Sequence, residues 1–128
     1  MILPVTDDRD SGPFFEAARE GRLVYRACTR CGHGIHPPAP FCNQCGSDGE
    51  WKQASGKGVA RASTVVTHQI HPDYPTPYTV VVVELEDCAD VRLLAHLEGQ
   101  VDVPYAAAME VEFMALEDDV TLPNWRLA

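Results

Sequence analysis

The stretch CTRCGHGIHPPAPFCNQCG, residues 28–46, decides the fold of this 128-residue chain. It contains two C-x-x-C-G units, which supply Cys28, Cys31, Cys42 and Cys45. Two sulfurs at this spacing bind one metal ion from a tight turn, and the glycine that follows tolerates the left-handed backbone of such a turn. Four thiolates suit tetrahedral Zn²⁺ and leave no position open for water, so we expect a structural zinc ion. A rubredoxin-type iron centre and disulfides remain as alternatives.

The expected compartment favours a metal over disulfides. Residues 1–15 lack the basic segment and long apolar run of a secretory signal. No run of 18 apolar residues occurs, so we predict no membrane span. We therefore expect a cytoplasmic protein, where closely spaced cysteines are metal ligands more often than disulfides. His33 and His36 are not needed as ligands, and Cys88 stands alone among acidic residues.

The formal net charge of −9, from 19 acidic and 10 basic residues, argues against a nucleic-acid-binding protein. Such proteins need a basic surface that displaces phosphate counterions. Zinc ribbons and OB barrels do bind single strands through exposed aromatic rings, so this stays the rival hypothesis. The aromatic residues that the barrel segment offers are Tyr74, Tyr78, Tyr105, Phe113 and Trp125, which stand among acidic residues.

A short helix precedes the cysteines. In SGPFFEAAREGR, Ser11 or Gly12 can cap the helix, Pro13 suits its first turn and Gly21 suits its end, so we predict a helix over residues 13–20. Phe14 and Phe15 are adjacent and cannot both face one small core. Either both are tucked under the domain, or they form an apolar patch that faces a partner.

The chain after Gly58 predicts a β barrel. Strand-like runs occur at residues 58–68, 78–86, 91–97 and 109–116, with a weaker fifth at 121–127. Five short strands within about 70 residues suit an OB-type barrel. Two more strands, RLVYRA and EWKQAS, flank the cysteine pairs, and EGQVDVPYAAAM offers one helical turn around residues 105–109. We divide the chain into an arm and helix (1–21), a zinc ribbon (22–55) and an OB barrel (56–128).

The sequence contains no recognisable catalytic constellation. It has no phosphate-binding loop or dinucleotide fingerprint, because SGKG is too short and no G-x-G-x-x-G occurs. Nothing pairs His68, His71 or His96 with a nucleophile. We predict no catalytic residue, and the residues alone indicate a metal-stabilised binding module.

The order of the motifs resembles a known family. The series FFEAAREGRL, CTRCGHGIHPPAPFCNQCGS, SGKGVARASTVV, PYTVVVVELED, VRLLAHLEG, MEVEF and LPNWR covers residues 13–127. It is similar to the zinc-ribbon/OB-fold proteins associated with acyl-CoA metabolism, once catalogued as domain of unknown function 35. The resemblance implies an N-terminal helix, a rubredoxin-like zinc ribbon with Cys28, Cys31, Cys42 and Cys45 as ligands, and a five-stranded OB barrel.

The same resemblance implies a non-catalytic accessory subunit. Members pair with thiolase-like enzymes, including thiolases and aldolases of steroid or acyl side-chain degradation, and some pair with MaoC-like enoyl-CoA hydratases. Their implied role is to complete or stabilise the acyl-CoA site and to bridge subunits. On this chain, the helix with Phe14 and Phe15 becomes the candidate partner contact. A free-standing acyl-CoA-binding protein is a further alternative.

Two departures from the family pattern concern the ligand. The chain has Ala39 where a basic residue often follows the two prolines, and Ala107–Ala108 before Met109 where the family often has Ile-Gly. If the missing basic residue holds a CoA phosphate in relatives, Lys57 and Arg61 are the remaining candidates here. Exposed cations are common on any surface, so the favoured interpretation of both is that they are ordinary solvated side chains.

Overall fold

The computed structural model describes residues 2–128 and shows a mainly β chain, as the sequence predicts. The elements are α1 Gly12–Arg19, β1 Val24–Cys28, β2 Gly49–Gln53, β3 Lys57–Val66, β4 Tyr78–Leu85, β5 Arg92–Glu98, β6 Ala108–Ala115 and β7 Thr121–Leu127. The N-terminal helix, the ribbon and the five-stranded OB-type sheet follow one another in the expected order. Among residues 2–128, no helix has the length and apolarity needed to cross a membrane.

Helix α1 lies one residue earlier than predicted. Ser11 takes the N-cap position, but its hydroxyl contacts the carboxylate of Asp8 instead of capping the helix. Pro13 stands in the first turn, where its missing N–H costs nothing. The helix ends in front of Gly21, whose φ of 75° lets the N–H of Arg22 bond the carbonyl of Ala17.

The two ribbon strands bring the cysteine pairs together. Strands β1 and β2 are antiparallel, with Val24 opposite Gln53 and Cys28 opposite Gly49. This register places the first C-x-x-C unit, at the end of β1, beside the chain that leaves the second unit. The hairpin therefore frames a site whose ligands come from both units.

The barrel strands run in the order β5-β4-β3-β6-β7, with every pair antiparallel. One face of β4 is buried through Val81, Val83 and Leu85, which are at most 2% exposed. The core that they share comprises Leu23, Ala54, Ala60, Val81, Val83, Leu85, Val91, Ala95, Met109 and Trp125. Leu23 and Ala54 flank the ribbon hairpin, so the ribbon and the barrel pack on one core.

A side chain, rather than a backbone ladder, closes the barrel between β5 and β7. The carboxamide of Asn124 accepts from the N–H of His96 at 2.8 Å and donates to the carbonyl of His96 at 2.9 Å. These two bonds imitate a strand pairing at one residue, and Asn124 is only 6% exposed. Among residues 2–128, no strand register joins β5 to β7, although the two strands are in contact.

The connection between β5 and β6 corrects one expectation. A helical turn around residues 105–109 does not form, because Ala108 and Met109 already pair with β3. The chain turns at Tyr105–Ala106 instead, with Ala106 at φ 65°. Upstream, buried Thr79 holds the start of this connection, since its hydroxyl donates to the carbonyl of Gly99 at 2.8 Å and accepts from the N–H of Val101 at 3.0 Å.

Candidate functional site

The four cysteines of the ribbon form one cluster. Their Sγ atoms all lie within 4.8 Å of one another. Cys28 Sγ and Cys45 Sγ are 3.4 Å apart, and Cys31 Sγ and Cys42 Sγ are 3.7 Å apart. A tetrahedral ZnS₄ centre with Zn–S bonds of about 2.3 Å needs sulfur–sulfur separations of about 3.8 Å. The cluster therefore fits one tetrahedral ion, and its four soft donors suit zinc.

Backbone N–H groups turn towards the sulfurs, as in metal-binding knuckles. Arg30 and Cys31 each donate to Cys28 Sγ at 3.4 Å, and Gln44 donates to Cys42 Sγ at 3.3 Å. The positive φ of 76–77° at the two following glycines, Gly32 and Gly46, lets each knuckle close. These bonds stabilise thiolates, which are the form that binds a metal.

Hydrogen bonds and neighbouring sulfurs shift the pKa values of Cys28, Cys31 and Cys45 in different directions. Hydrogen bonds from Ser47 lower the pKa of Cys45 to about 6, and the N–H of Cys31 lowers the pKa of Cys28. For Cys31, the N–H of His33 acts in the same direction, but partial desolvation of this exposed thiol and its contacts with the neighbouring sulfurs outweigh it and raise the pKa to about 12. Four adjacent thiolates need a cation, since like charges at this distance disfavour one another.

The loop between the two cysteine pairs is tied down by Arg26. Its Nε donates to the carbonyl of Ala39 at 2.6 Å, and its other guanidinium nitrogen donates to Pro40 at 3.2 Å. The guanidinium also lies 5.6 Å from the Trp51 ring. Ile35 completes the ribbon core with Cys28 and Cys42. Since this core has only three buried residues, a metal bound by the four sulfurs would contribute much of the ribbon's stability.

The same loop fixes the ribbon against the barrel. The N–H of Gly34 donates to Asp90 Oδ2 at 3.1 Å, and His33 Nδ1 lies 3.3 Å from that carboxylate. A Cβ atom added to Gly34 would lie 2.8 Å from Cys88 Sγ and 2.9 Å from a methyl group of Val91. Only glycine allows this close approach between the ribbon loop and the β4–β5 connection.

We expect Gly34→Ala to destabilise the protein by about 1–3 kcal/mol, because the added methyl group overpacks the junction. Thermal unfolding, followed by circular dichroism, measures the effect. Gly12→Ala is the matched control, since its Cβ atom would meet only ordinary contacts at 3.6 Å or more. Equal unfolding temperatures for the two variants would show that the junction is not tightly packed.

The two predicted phosphate-binding cations lie in different surroundings. Arg61 sits at a bulge in β3 and forms an ion pair with Glu84 at 3.0 Å. Its guanidinium also lies over the Tyr105 ring at 5.4 Å. Lys57 lines a groove whose walls include Glu86 and Glu110. Arg61 would have to leave Glu84 to bind a phosphate, whereas exposed Lys57 would bind one beside two carboxylates.

The two phenylalanines of α1 differ in their surroundings. Phe14 packs against the barrel core. The Phe15 ring contacts the Phe14 ring edge-on, with the two ring centroids 5.2 Å apart. Both line a cavity of about 320 Å³ between α1, the ribbon loop and strands β5 and β7. Their role in binding a partner stays a prediction.

Two family models match the chain in tandem. One describes the ChsH2 rubredoxin-like zinc ribbon domain and matches residues 15–50. The other describes the ChsH2 C-terminal OB-fold domain and matches residues 51–115, half of the chain. The chain belongs to the ChsH2 family.

A solved ChsH2 structure matches almost end to end. It is titled as an Ltp2–ChsH2(DUF35) aldolase, is 32% identical, covers 97% of this chain and 98% of its own, and superposes with a TM-score of 0.83. A DUF35-family protein of unknown function from Sulfolobus solfataricus covers 92% of this chain and 84% of its own, with 12% identity and a TM-score of 0.63, and shows the fold alone.

A curated relative of this chain is longer. It is described as a probable enoyl-CoA hydratase alpha subunit of Thermomonospora curvata, and it is 36% identical over 124 residues. The match covers 94% of this chain but 38% of that protein, so the chain spans less than half of the relative's length.

Membership of the ChsH2 family confirms the predicted resemblance, the zinc ribbon and the OB fold. Sequence reasoning missed two features that shape the surface. One is the closure of the barrel by the Asn124 side chain, which the sequence does not indicate because a single asparagine forms no recognisable pattern. The other is the outer face of β4 and β5, which the run Val80–Val83 signals, because four consecutive apolar residues in a strand supply both faces.

Proposed function

We propose that this chain is a non-catalytic accessory subunit of a thiolase-like acyl-CoA enzyme, and specifically of a carbon–carbon-cleaving aldolase. The observation that carries the proposal is the end-to-end similarity to the ChsH2 chain of a solved Ltp2–ChsH2 aldolase. A match over 97% of this chain leaves little room for a different architecture at the partner surface. In this role the chain stabilises the acyl-CoA site of its partner and bridges subunits.

The metal in this proposal is structural zinc, bound by Cys28, Cys31, Cys42 and Cys45. Support comes from the sulfur cluster, in which Cys28 and Cys42 are at most 4% exposed while Cys31 and Cys45 lie at the surface. Bound zinc would hold the two knuckles together, and four sulfurs would leave no coordination position for a substrate. The segments 1–21, 22–55 and 56–128 remain our proposed division of the chain.

Acyl-CoA is the proposed shared ligand. The partner would provide most of the acyl-CoA site, and this chain would contact the ligand at the edge of that site. Lys57 is the better phosphate candidate, because Arg61 is engaged with Glu84 and Tyr105. Lys57 and Arg61 would act as electrostatic contacts and not as catalytic groups. Both assignments depend on the presence of the partner.

A hydratase partner is the second candidate, favoured by one observation. The curated relative described as an enoyl-CoA hydratase alpha subunit is 36% identical to this chain over 124 residues. In that arrangement the same ribbon and barrel would form the accessory subunit of a MaoC-like hydratase. The nucleic-acid alternative draws less support, because Trp125 is fully buried and cannot stack on a base, and Phe113 is partly buried against the core.

Co-expression tests the aldolase assignment. The chain is produced together with the thiolase-like aldolase subunit of the same organism and, in a separate culture, with its MaoC-like hydratase. We expect a stable complex with the aldolase subunit by gel filtration with light scattering, and retro-aldol activity that the aldolase subunit lacks alone. An aldolase subunit that is folded and fully active alone, and that elutes apart from this chain, would refute the proposal. A complex with the hydratase alone would favour the second candidate.

A further inference from the structure

The outer face of the β3–β4–β5 sheet is more apolar than a solvent-facing barrel wall requires. In β4, Val81 and Val83 point into the core and are 0% exposed. Val80 and Val82 alternate with them and therefore lie on the outer face, where they are half-buried. Antiparallel strands with one wet face usually alternate apolar and polar residues, so valine on both faces indicates that both faces are covered in use.

Cross-strand neighbours extend this outer face into a continuous patch. Val82 lies opposite Ala62 of β3 and opposite Leu94 of β5. Leu94 is 66% exposed, which is high for a leucine in the middle of a strand. We call Ala62, Val80, Val82 and Leu94 the apolar face.

One end of the sheet is already covered by the chain itself. Tyr74, from the proline-rich connection, lies 6.4 Å from the His96 ring, and Tyr78 lies 4.6 Å from it. His96 is the cross-strand neighbour of Val80. The covered end therefore stops at Val80, and the exposed part of the apolar face is centred on Val82 and Leu94.

A cavity opens beside the apolar face. Leu94 of the apolar face and neighbouring Arg92 line this cavity, together with Phe15 of α1, Pro38 of the ribbon loop and Leu122 of β7. Its volume of about 320 Å³ suits a large apolar side chain entering from outside. A flat apolar face next to a pocket is the usual form of an interface centre, where an anchor residue enters a desolvated site.

The edge of the apolar face carries an excess positive charge. Glu84 bonds two guanidinium groups, Arg61 at 3.0 Å and Arg92 at 3.3 Å. One carboxylate cannot neutralise both, so the trio has a net charge of +1 in a chain whose total is −9. Arg92 is 56% exposed and is therefore the cation available to an approaching group.

We infer that the apolar face and its cavity dock the partner subunit, through a projecting apolar side chain of the partner flanked by a carboxylate that meets Arg92. This inference rests on the proposed function and names the surface that the function uses. A second copy of this chain fits less well, because two chains of net charge −9 repel each other. A nucleic acid would find too few cations here.

Leu94→Asp tests the inference. The residue is exposed, so the variant should fold, which circular dichroism and unchanged metal content would verify. Affinity for the purified thiolase-like aldolase subunit of the same organism is measured by calorimetry, with the full-length chain. We expect at least a thirtyfold weaker Kd, the usual consequence of losing a central anchor contact. Arg92→Glu should weaken binding as well, and its loss should depend on salt concentration.

Leu127→Asp is the matched control, since it also changes an exposed leucine on a strand but lies outside the apolar face and its cavity. It should alter Kd less than threefold. If wild type binds the partner and Leu94→Asp binds equally well, the inference is wrong and the proposed function stands. If wild type binds neither the aldolase nor the hydratase subunit, both fail. Decanoyl-CoA binding to the isolated chain, or self-association, that Leu94→Asp abolishes would also overturn the inference.

Discussion

Cys42→Ser is expected to abolish zinc binding and unfold the ribbon while the barrel keeps its strands. Structural zinc contributes about 10–16 kcal/mol of apparent binding free energy in zinc-finger peptides, and that energy is folding energy. The ribbon's own buried core consists of Cys28, Ile35 and Cys42, two of which are predicted ligands, so apart from its contacts with the barrel little holds it together without the metal. Removing one of four ligands from such a site is therefore expected to cost more than the ribbon's packing provides.

Cys42 is the most informative ligand to replace. It is 4% exposed, its Sγ accepts the N–H of Gln44 at 3.3 Å, and it lies 3.7 Å from Cys31 Sγ. A serine oxygen at this position is nearly isosteric but remains protonated and is a poor ligand for a soft site. The variant therefore removes the metal contact with little change in volume.

Metal analysis and hydrogen exchange check the result. Wild type should carry one zinc per chain, and Cys42→Ser none, with rapid exchange over residues 24–53. Cys88→Ser is the control, because Cys88 lies outside the sulfur cluster and should leave the zinc content unchanged. One zinc per chain in Cys42→Ser, with normal protection of the ribbon, would show that Cys42 is not a ligand. Iron in the wild-type protein would instead assign the rubredoxin-type alternative.

Asn124→Leu is expected to destabilise the barrel by about 2–5 kcal/mol. The substitution removes both bonds to His96 and leaves the N–H and the carbonyl of this half-buried strand residue without these partners, at about 1–3 kcal/mol each. Leucine is close to asparagine in shape, so the loss reports mainly the hydrogen bonds. Urea unfolding, followed by the fluorescence of neighbouring Trp125, measures the change.

Asn124→Asp separates the two bonds of this closure. An ionised carboxylate still accepts the N–H of His96 but faces its carbonyl without a donor, whereas a protonated carboxyl can donate again. Its stability deficit relative to wild type should therefore shrink as the pH falls. The Leu variant should show no such recovery. A deficit that does not depend on pH, or an Asn124→Leu variant as stable as wild type, would show that the side chain does not hold β5 to β7.

Local patterns in the sequence predict the parts of this protein that depend on short-range chemistry. The C-x-x-C-G units predict the ribbon, Pro13 and Gly21 predict the helix to within one residue, and runs rich in Val, Thr and Leu predict the barrel strands. Side-chain contacts between distant residues are not predictable in this way. Arg61 meets Glu84, which is 23 residues away, and Asn124 meets His96, which is 28 residues away. The prediction of a helical turn at residues 105–109 was wrong for the same reason, because pairing with β3 overrides a weak local preference.

The cavity beside Leu94 has walls from three segments that are far apart in the chain: the helix, the ribbon loop and the last strand. No fragment made from one of them can reproduce it. An isolated barrel of residues 56–128 would lack Phe15 and Pro38, and an isolated ribbon of residues 22–55 would lack Leu94 and Leu122. The proposed docking surface therefore combines several segments of the chain, and dividing the chain at its domain boundaries would destroy this surface. Point substitutions in the intact chain are the appropriate way to study it.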